Sequence, residues 1–187
     1  MRLDSEVFHL LKAWLAVSLM FAILFDRQSL FSLDILTFAS VLGIAGLIVG
    51  LSFVLHELAH KYVSRRFGHW AEFRSDDRML LLGILMSFAG FILVAPGAVM
   101  IRGSITKRQN GLISMSGPAV NLALAAIFFA LSLNYTSTFI GYAYMINSWL
   151  AVFNLIPAFG FDGKKIFEWN KSVYFTMAAI ALLLLFL

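Results

Sequence analysis

Leu42–His60 reads LGIAGLIVGLSFVLHELAH, and how it is read decides the fold. From Leu42 to Leu55 there is no charged side chain, and then His56, Glu57 and His60 arrive within five residues. A helix places residues four apart on one face, so both imidazoles can reach a single metal ion while Glu57 projects towards a water on it. That is the pattern of a zinc hydrolase, here set inside a helix apolar enough to cross a membrane.

The rest of the composition fits that setting. Of 187 residues, 61% are hydrophobic and 13% charged, with a mean hydropathy of +0.89, which places the chain among integral membrane proteins. No polar interval is long enough for a sizeable soluble domain, the longest being Ser64 to Arg78. The net charge of +4 comes from Lys and Arg in the connections between apolar runs. They read as topology signals rather than nucleic-acid contacts. Cysteine is absent, which excludes disulfides, thiolate ligands, iron–sulfur clusters and a cysteine nucleophile. Any metal must therefore be held by His, Asp or Glu.

Working outward, Val7 to Phe25 is a first span, followed by no small-residue cleavage pattern, so a retained helix is expected. The second helix runs from about Ile35 to Val63 and closes at Ser64-Arg65-Arg66. Phe67 to Arg78 reads as a loop or amphipathic connector. Gly111 to Leu133 and Phe139 to Ile156 are further helices, the latter broken by Pro157, and Val173 to Leu187 is a final apolar helix.

A catalytic zinc normally takes three protein ligands, so two histidines are incomplete. Among the carboxylates, Asp162 stands apart because it follows a membrane helix broken at Pro157 and is flanked by Gly160 and Gly163. Intramembrane carboxylates are costly and mark functional sites. The lesser alternative for Asp162 is a turn or helix-cap residue before Lys164. As a ligand it must reach the depth of His60, which requires an even number of crossings between them. Met79 to Ile101 resolves the parity if it splits at Pro96. A helix from about Leu80 to Leu93 covers roughly 21 Å, and an extended return over Ala95 to Ile101 covers roughly 23 Å. With this re-entrant arrangement Arg65, Arg66, Arg102, Lys107, Arg108, Lys164 and Lys165 gather on one side, and the opposite side keeps Arg27. The positive-inside rule then puts the N-terminus and the zinc site towards the cytoplasm.

With these residues in place, the chain resembles the site-2 proteases, a family of intramembrane zinc metalloproteases. The resemblance rests on HELAH at 56–60, on Ser116-Gly117-Pro118-Ala119-Val120-Asn121, and on Asn154-Leu155-Ile156-Pro157 followed by Asp162-Gly163, in the expected order over most of the chain. It implies His56, His60 and Asp162 as ligands of Zn2+, Glu57 as the base, and Asn121 and Asn154 as substrate-contacting or supporting polar residues. On chemistry alone Asn121 is as readily an interhelical hydrogen-bonding residue, and Asn154 can serve carbonyls freed by Pro157.

The fold expected is an all-α polytopic membrane protein with about five to six transmembrane helices and a re-entrant helix-plus-strand insertion beside the zinc site. It forms one domain over 1–187, with a catalytic core at about 35–170 and flanking helices at 7–25 and 173–187. The expected function is hydrolysis of peptide bonds in or near transmembrane segments of membrane-protein substrates. The alternatives are a non-proteolytic membrane metal-binding protein or transporter, and a prenyl-processing type of protease with Glu168 as third ligand. The expected partners are a transmembrane protein substrate and the lipid bilayer, with no nucleic acid; the sequence leaves the oligomeric state open. Single cysteines at positions 65, 102 and 107 of this Cys-free chain are expected to react with a membrane-impermeant thiol reagent from the same side. Labelling of 65 from the side opposite 102 and 107 would refute the re-entrant arrangement.

Overall fold

A computed structural model describes residues 3–92, 95–158 and 160–187, with backbone alone for Leu3 and Asp4. Among the described residues there are seven helices and one two-stranded sheet. In chain order they are α1 (Leu3–Phe31), α2 (Ile35–Arg66), β1 (Trp70–Ser75), α3 (Asp77–Phe88), β2 (Gly97–Arg102), α4 (Lys107–Ser132), α5 (Thr138–Asn154), α6 (Asp162–Trp169) and α7 (Lys171–Phe186). The chain forms two compact units, Met1–Val54 with Glu72–Met100, and Leu55–Ala71 with Ile101–Leu187.

In the first unit, α1 stops being helical at Asp26, where φ is −148°. The Asp26 carboxylate there accepts from Ser29 N and Ser29 Oγ, starting a fresh turn. This is where the apolar run ends in sequence. Trp14 lies against α2, its Nε1 donating to Gly46 O at 2.7 Å, and Gly50 leaves room for the indole. Ala13, Val17, Met20 and Phe21 of α1 and Ala45, Ile48, Val49 and Phe53 of α2 are buried apolar side chains.

The segment read from sequence as a loop or connector contains β1. Its alternation is hidden because Ala71, Glu72 and Phe73 are all buried. Phe73 meets Phe53 edge-on, its backbone N–H donates to buried Glu6 at 3.1 Å, and Glu72 pairs with Arg74 at 2.6 Å. Its partner β2 overlaps the extended stretch expected over Ala95 to Ile101 and runs one residue further, to Arg102. Gly97 sits opposite Arg74 and Ser75 while Arg102 stacks on Trp70 at the other end, so the pair is antiparallel. The helix before it ends at Phe88 rather than Leu93. Gly90 adopts φ +91°, and the N–H groups of Ala89 and Gly90 close back on Met86 O and Ser87 O. The last residue of the expected helix, Leu93, lies outside the described residues.

In the second unit, Leu122, Ala125, Ala151, Leu155, Ile166, Tyr174, Met177, Ala181 and Leu184 from α4 to α7 make one core. Gly111 on α4 lets the Trp169 side chain approach its backbone closely. The eight-residue α6 was not anticipated as a separate element.

Among the described residues, three helices are long and apolar enough to cross a bilayer: Ser5–Phe31, Ile35–Arg66 and Lys107–Ser132. Together with the composition they make this a membrane protein. The expected spans α5 and α7 have 17 and 16 residues, under the roughly 20 that a bilayer core requires.

Gly97 has no space for a side chain, since a Cβ would run into Arg74 O, the Phe73 ring and Ser75 Cα. Gly97→Ala is expected to force β1 and β2 apart and cost about 1–3 kcal/mol, read as a lowered unfolding temperature of the purified protein in detergent.

Candidate metal centre

The polar stretch of α2 supplies three buried side chains, His56, Glu57 and His60. Helical spacing puts both imidazoles on one face, with ring centroids 4.7 Å apart. Asp162, the first residue of α6, is buried as well and comes to the same point. Gly163 allows this by packing its backbone directly on Leu155, where a Cβ would overlap the carbonyl at the end of α5. Proline at 157 lacks the N–H that would continue α5, so the chain turns there and restarts as α6.

Each histidine is oriented by a partner on α4. His60 Nδ1 lies 2.7 Å from the carbonyl oxygen of Ile113, which can only accept, so Nδ1 carries the proton. Ser116 Oγ donates to the same carbonyl at 2.6 Å. His56 Nδ1 lies 2.6 Å from Asn121 Oδ1 and donates to it. With both protons on Nδ1, the two Nε2 atoms present lone pairs, and they face each other at 3.0 Å. Asp162 Oδ2 completes the triangle, 3.0 Å from His60 Nε2 and 3.5 Å from His56 Nε2. The other carboxylate oxygen faces Lys165 Nζ at 3.5 Å.

With both rings neutral, these three acceptor atoms repel one another, and a cation among them removes that repulsion. The fit to zinc is close: bonds of about 2.0–2.1 Å in tetrahedral geometry separate the ligand atoms by about 3.3 Å. The donor set of two imidazole nitrogens and one carboxylate oxygen is also one that zinc accepts. Among the described residues, His56, His60 and Asp162 are the group of three or more potential ligands able to hold one ion. Gly117 supplies a further indication, since a Cβ at this position of α4 would overlap both Nε2 atoms. Its backbone thus borders the space where the three ligand atoms meet.

Curated proteins similar to the chain point the same way. "Putative zinc metalloprotease MJ0611" of Methanocaldococcus jannaschii is 39% identical over 133 residues, covering 67% of this chain and 70% of that protein. The chain belongs to the site-2 protease family of zinc metalloproteases. Two further members reach less far along their own sequences. "Zinc metalloprotease MJ0392" of the same organism is 31% identical over 62% of this chain and 31% of its own length. "Putative zinc metalloprotease Rip2" of Mycolicibacterium smegmatis is 32% identical over 68% and 56%. No protein-family profile matches the chain. No solved structure matches it significantly.

As a site-2 protease, the chain takes zinc as its metal. Of the residues expected from sequence, His56, His60 and Asp162 converge, and Asn121 holds His56. Glu57 is buried beside His56 in the chain and lies within electrostatic reach of His56, Asp162 and Lys165. Asn154 behaves differently: its Nδ2 donates to Leu150 O one turn back in its own helix, at 2.9 Å. Phe153 O, the carbonyl that Pro157 cannot serve, accepts instead from Ile156 N at 3.2 Å.

Sequence reasoning missed the Ile113 carbonyl, Gly117 as a border of the site, and Asn147 on α5, which hydrogen-bonds Asn121 at 3.2 Å. A carbonyl leaves no trace in sequence. For Asn147 there was a signal: it precedes Asn154 by seven residues, two turns along the same helix face.

Gly117→Ala is expected to displace one or both imidazoles and abolish stoichiometric zinc binding. Zinc content by elemental analysis checks this, with circular dichroism to confirm that the helices persist.

Proposed function

We propose that the protein is an intramembrane endopeptidase that hydrolyses peptide bonds in or next to transmembrane segments of other membrane proteins. The observation that carries this reading is the convergence of His56 Nε2, His60 Nε2 and Asp162 Oδ2, with Glu57 beside them, around a helix otherwise apolar enough to cross the bilayer. In this reading His56, His60 and Asp162 hold zinc, and Glu57 is the general base and acid.

When bound there, zinc makes a water more acidic and polarises the scissile carbonyl. Glu57 accepts the proton as the water oxygen bonds to the carbonyl carbon, then delivers it to the departing amide nitrogen as the C–N bond breaks. The products are a carboxylate and an amine, and no covalent enzyme intermediate is required. Asn121 and Ile113 O keep the imidazole protons on Nδ1 throughout, so that both Nε2 atoms stay available. Lys165 engages the Asp162 oxygen that faces away from the histidines and so favours a single ligating oxygen.

A transmembrane substrate resists such attack while helical, because its carbonyls are already hydrogen-bonded and its backbone is coiled. It must unwind locally, and an unwound segment needs a backbone partner. We assign that role to the edge of β2 that pairs with no other strand among the described residues, by strand addition. For topology we retain the re-entrant arrangement: α3 has 12 residues, about 18 Å of helix, too short to cross alone. With α5 and α7 as shorter crossings, the basic connections fall on one side, which is assigned to the cytoplasm together with the N-terminus and the zinc site.

In purified protein, Glu57→Ala is expected to retain zinc and lose cleavage of a model transmembrane substrate by at least about a hundredfold. His56→Ala and Asp162→Asn are expected to lose both zinc and cleavage. Cleavage retained in Glu57→Ala would refute the assigned mechanism, and absence of cleavage by zinc-loaded wild type across transmembrane substrates would favour a metal-binding role without proteolysis.

A further inference from the structure

Asn147 of α5 is completely buried and has no part in the chemistry assigned above. Its Nδ2 donates to Ala143 O at 2.8 Å, one turn earlier. Its Oδ1 accepts from Asn121 Nδ2 at 3.2 Å, and Asn121 Oδ1 in turn accepts from His56 Nδ1 at 2.6 Å. The order of donors and acceptors is dictated from the far end. A backbone carbonyl only accepts, so the nitrogen of the Asn147 amide must face Ala143 and its oxygen must face Asn121. The Asn121 nitrogen then faces Asn147, which leaves the Asn121 oxygen for His56. Since that oxygen also only accepts, a neutral His56 keeps its proton on Nδ1 and its lone pair on Nε2.

We propose that Asn147 is a positioning residue of the metal centre, acting through Asn121 to set the tautomer and ring orientation of His56. This rests on the reading of His56 as a zinc ligand. The two histidines differ in what they need. His60 is held by a backbone carbonyl, whose polarity cannot be reversed. Asn121 is a primary amide with two nearly isosteric orientations, and the wrong one directs N–H groups at His56 Nδ1. The imidazole would then carry its proton on Nε2, where the metal has to bind. Asn147 discriminates between the two orientations, because a flipped Asn121 would set its oxygen against the Asn147 oxygen.

The test uses the full chain purified in detergent. Dissociation constants for Zn2+ and Co2+ are measured by chelator competition, and the ligand-field spectrum of the Co2+ form is recorded. Asn147→Leu is expected to weaken both metals about tenfold and to alter the Co2+ spectrum, the size usual for loss of an outer partner of a metal-bound histidine. Asn121→Leu is expected to weaken them at least as much, and the double variant no more than Asn121→Leu alone, because one pathway has been removed twice. Asn147→Asp is expected to restore near wild-type affinity and spectrum, since a neutral carboxyl can donate to Ala143 O and accept from Asn121 in the same order. If Asn147→Leu does not fold, Asn147→Ser, too short to reach Asn121, takes its place with the same expectation. Unchanged affinity and spectrum in the Leu or Ser variant, or fully additive losses in the double variant, would overturn the proposal. Unaltered zinc affinity in His56→Ala would instead bring down the ligand assignment itself, so the two failures are separable.

Discussion

Two imidazole nitrogens and a carboxylate oxygen, each presenting a lone pair, are held 3.0–3.5 Å apart in the buried interior of the second unit. While both rings are neutral, with Nδ1–H given to the partners that face them, no proton lies between the three ligand atoms to relieve their repulsion. Neighbouring water is scarce in such surroundings, and unpaired polar atoms there are expensive. A metal cation relieves the repulsion while leaving both imidazoles neutral, and a bound zinc accounts for acidic and basic side chains meeting at one point of an otherwise apolar unit. Much of the surrounding structure can be read as the means of sustaining that arrangement.

Close backbone approach is the first of those means. Gly117 borders the ligand atoms and Gly163 rests on the end of α5, and a methyl group at either position would collide with its neighbour. The prolines act in the opposite sense, by removing an N–H from the helical ladder. Pro118 deprives Ser114 O of its intrahelical donor in the same turn of α4 that offers Ile113 O to His60, and Pro157 ends α5 so that Asp162 can open a new helix. Small residues set the distances, and α4 supplies the backbone carbonyl that holds His60.

How much of this was legible in sequence follows from how local each signal is. HELAH was readable because helical periodicity alone brings His56 and His60 together. Asp162 was readable because a carboxylate between glycines after a broken apolar helix is costly without a role. The extended segment at β2 was visible from Pro96-Gly97. Its partner β1 was not, because Glu72 is buried beside Ala71 and Phe73 through its pairing with Arg74, which erases the alternation that announces a strand. The helix before β2 was drawn past Gly90 because hydropathy continues there, whereas backbone conformation does not. Asn147 and Ile113 O belong to contacts 26 and 53 residues apart in sequence, so the seven-residue spacing of Asn147 from Asn154 marks a shared helix face but not the partner, and Ile113 O carries no local mark at all.

The choice of neutral partners for the histidines has a physical reason in this setting. A carboxylate is a common outer partner for a metal-bound imidazole and raises its basicity. Here zinc brings +2, and Asp162 with ionised Glu57 would already bring −2, so the assigned centre is close to neutral before Lys165 is counted. A further buried carboxylate against His56 or His60 would make it net negative in apolar surroundings, where uncompensated charge is costly. A backbone carbonyl and an amide orient the rings without adding charge. The amide, unlike the carbonyl, can be inverted, so the need for a second amide to fix its direction follows from the decision to keep the centre neutral.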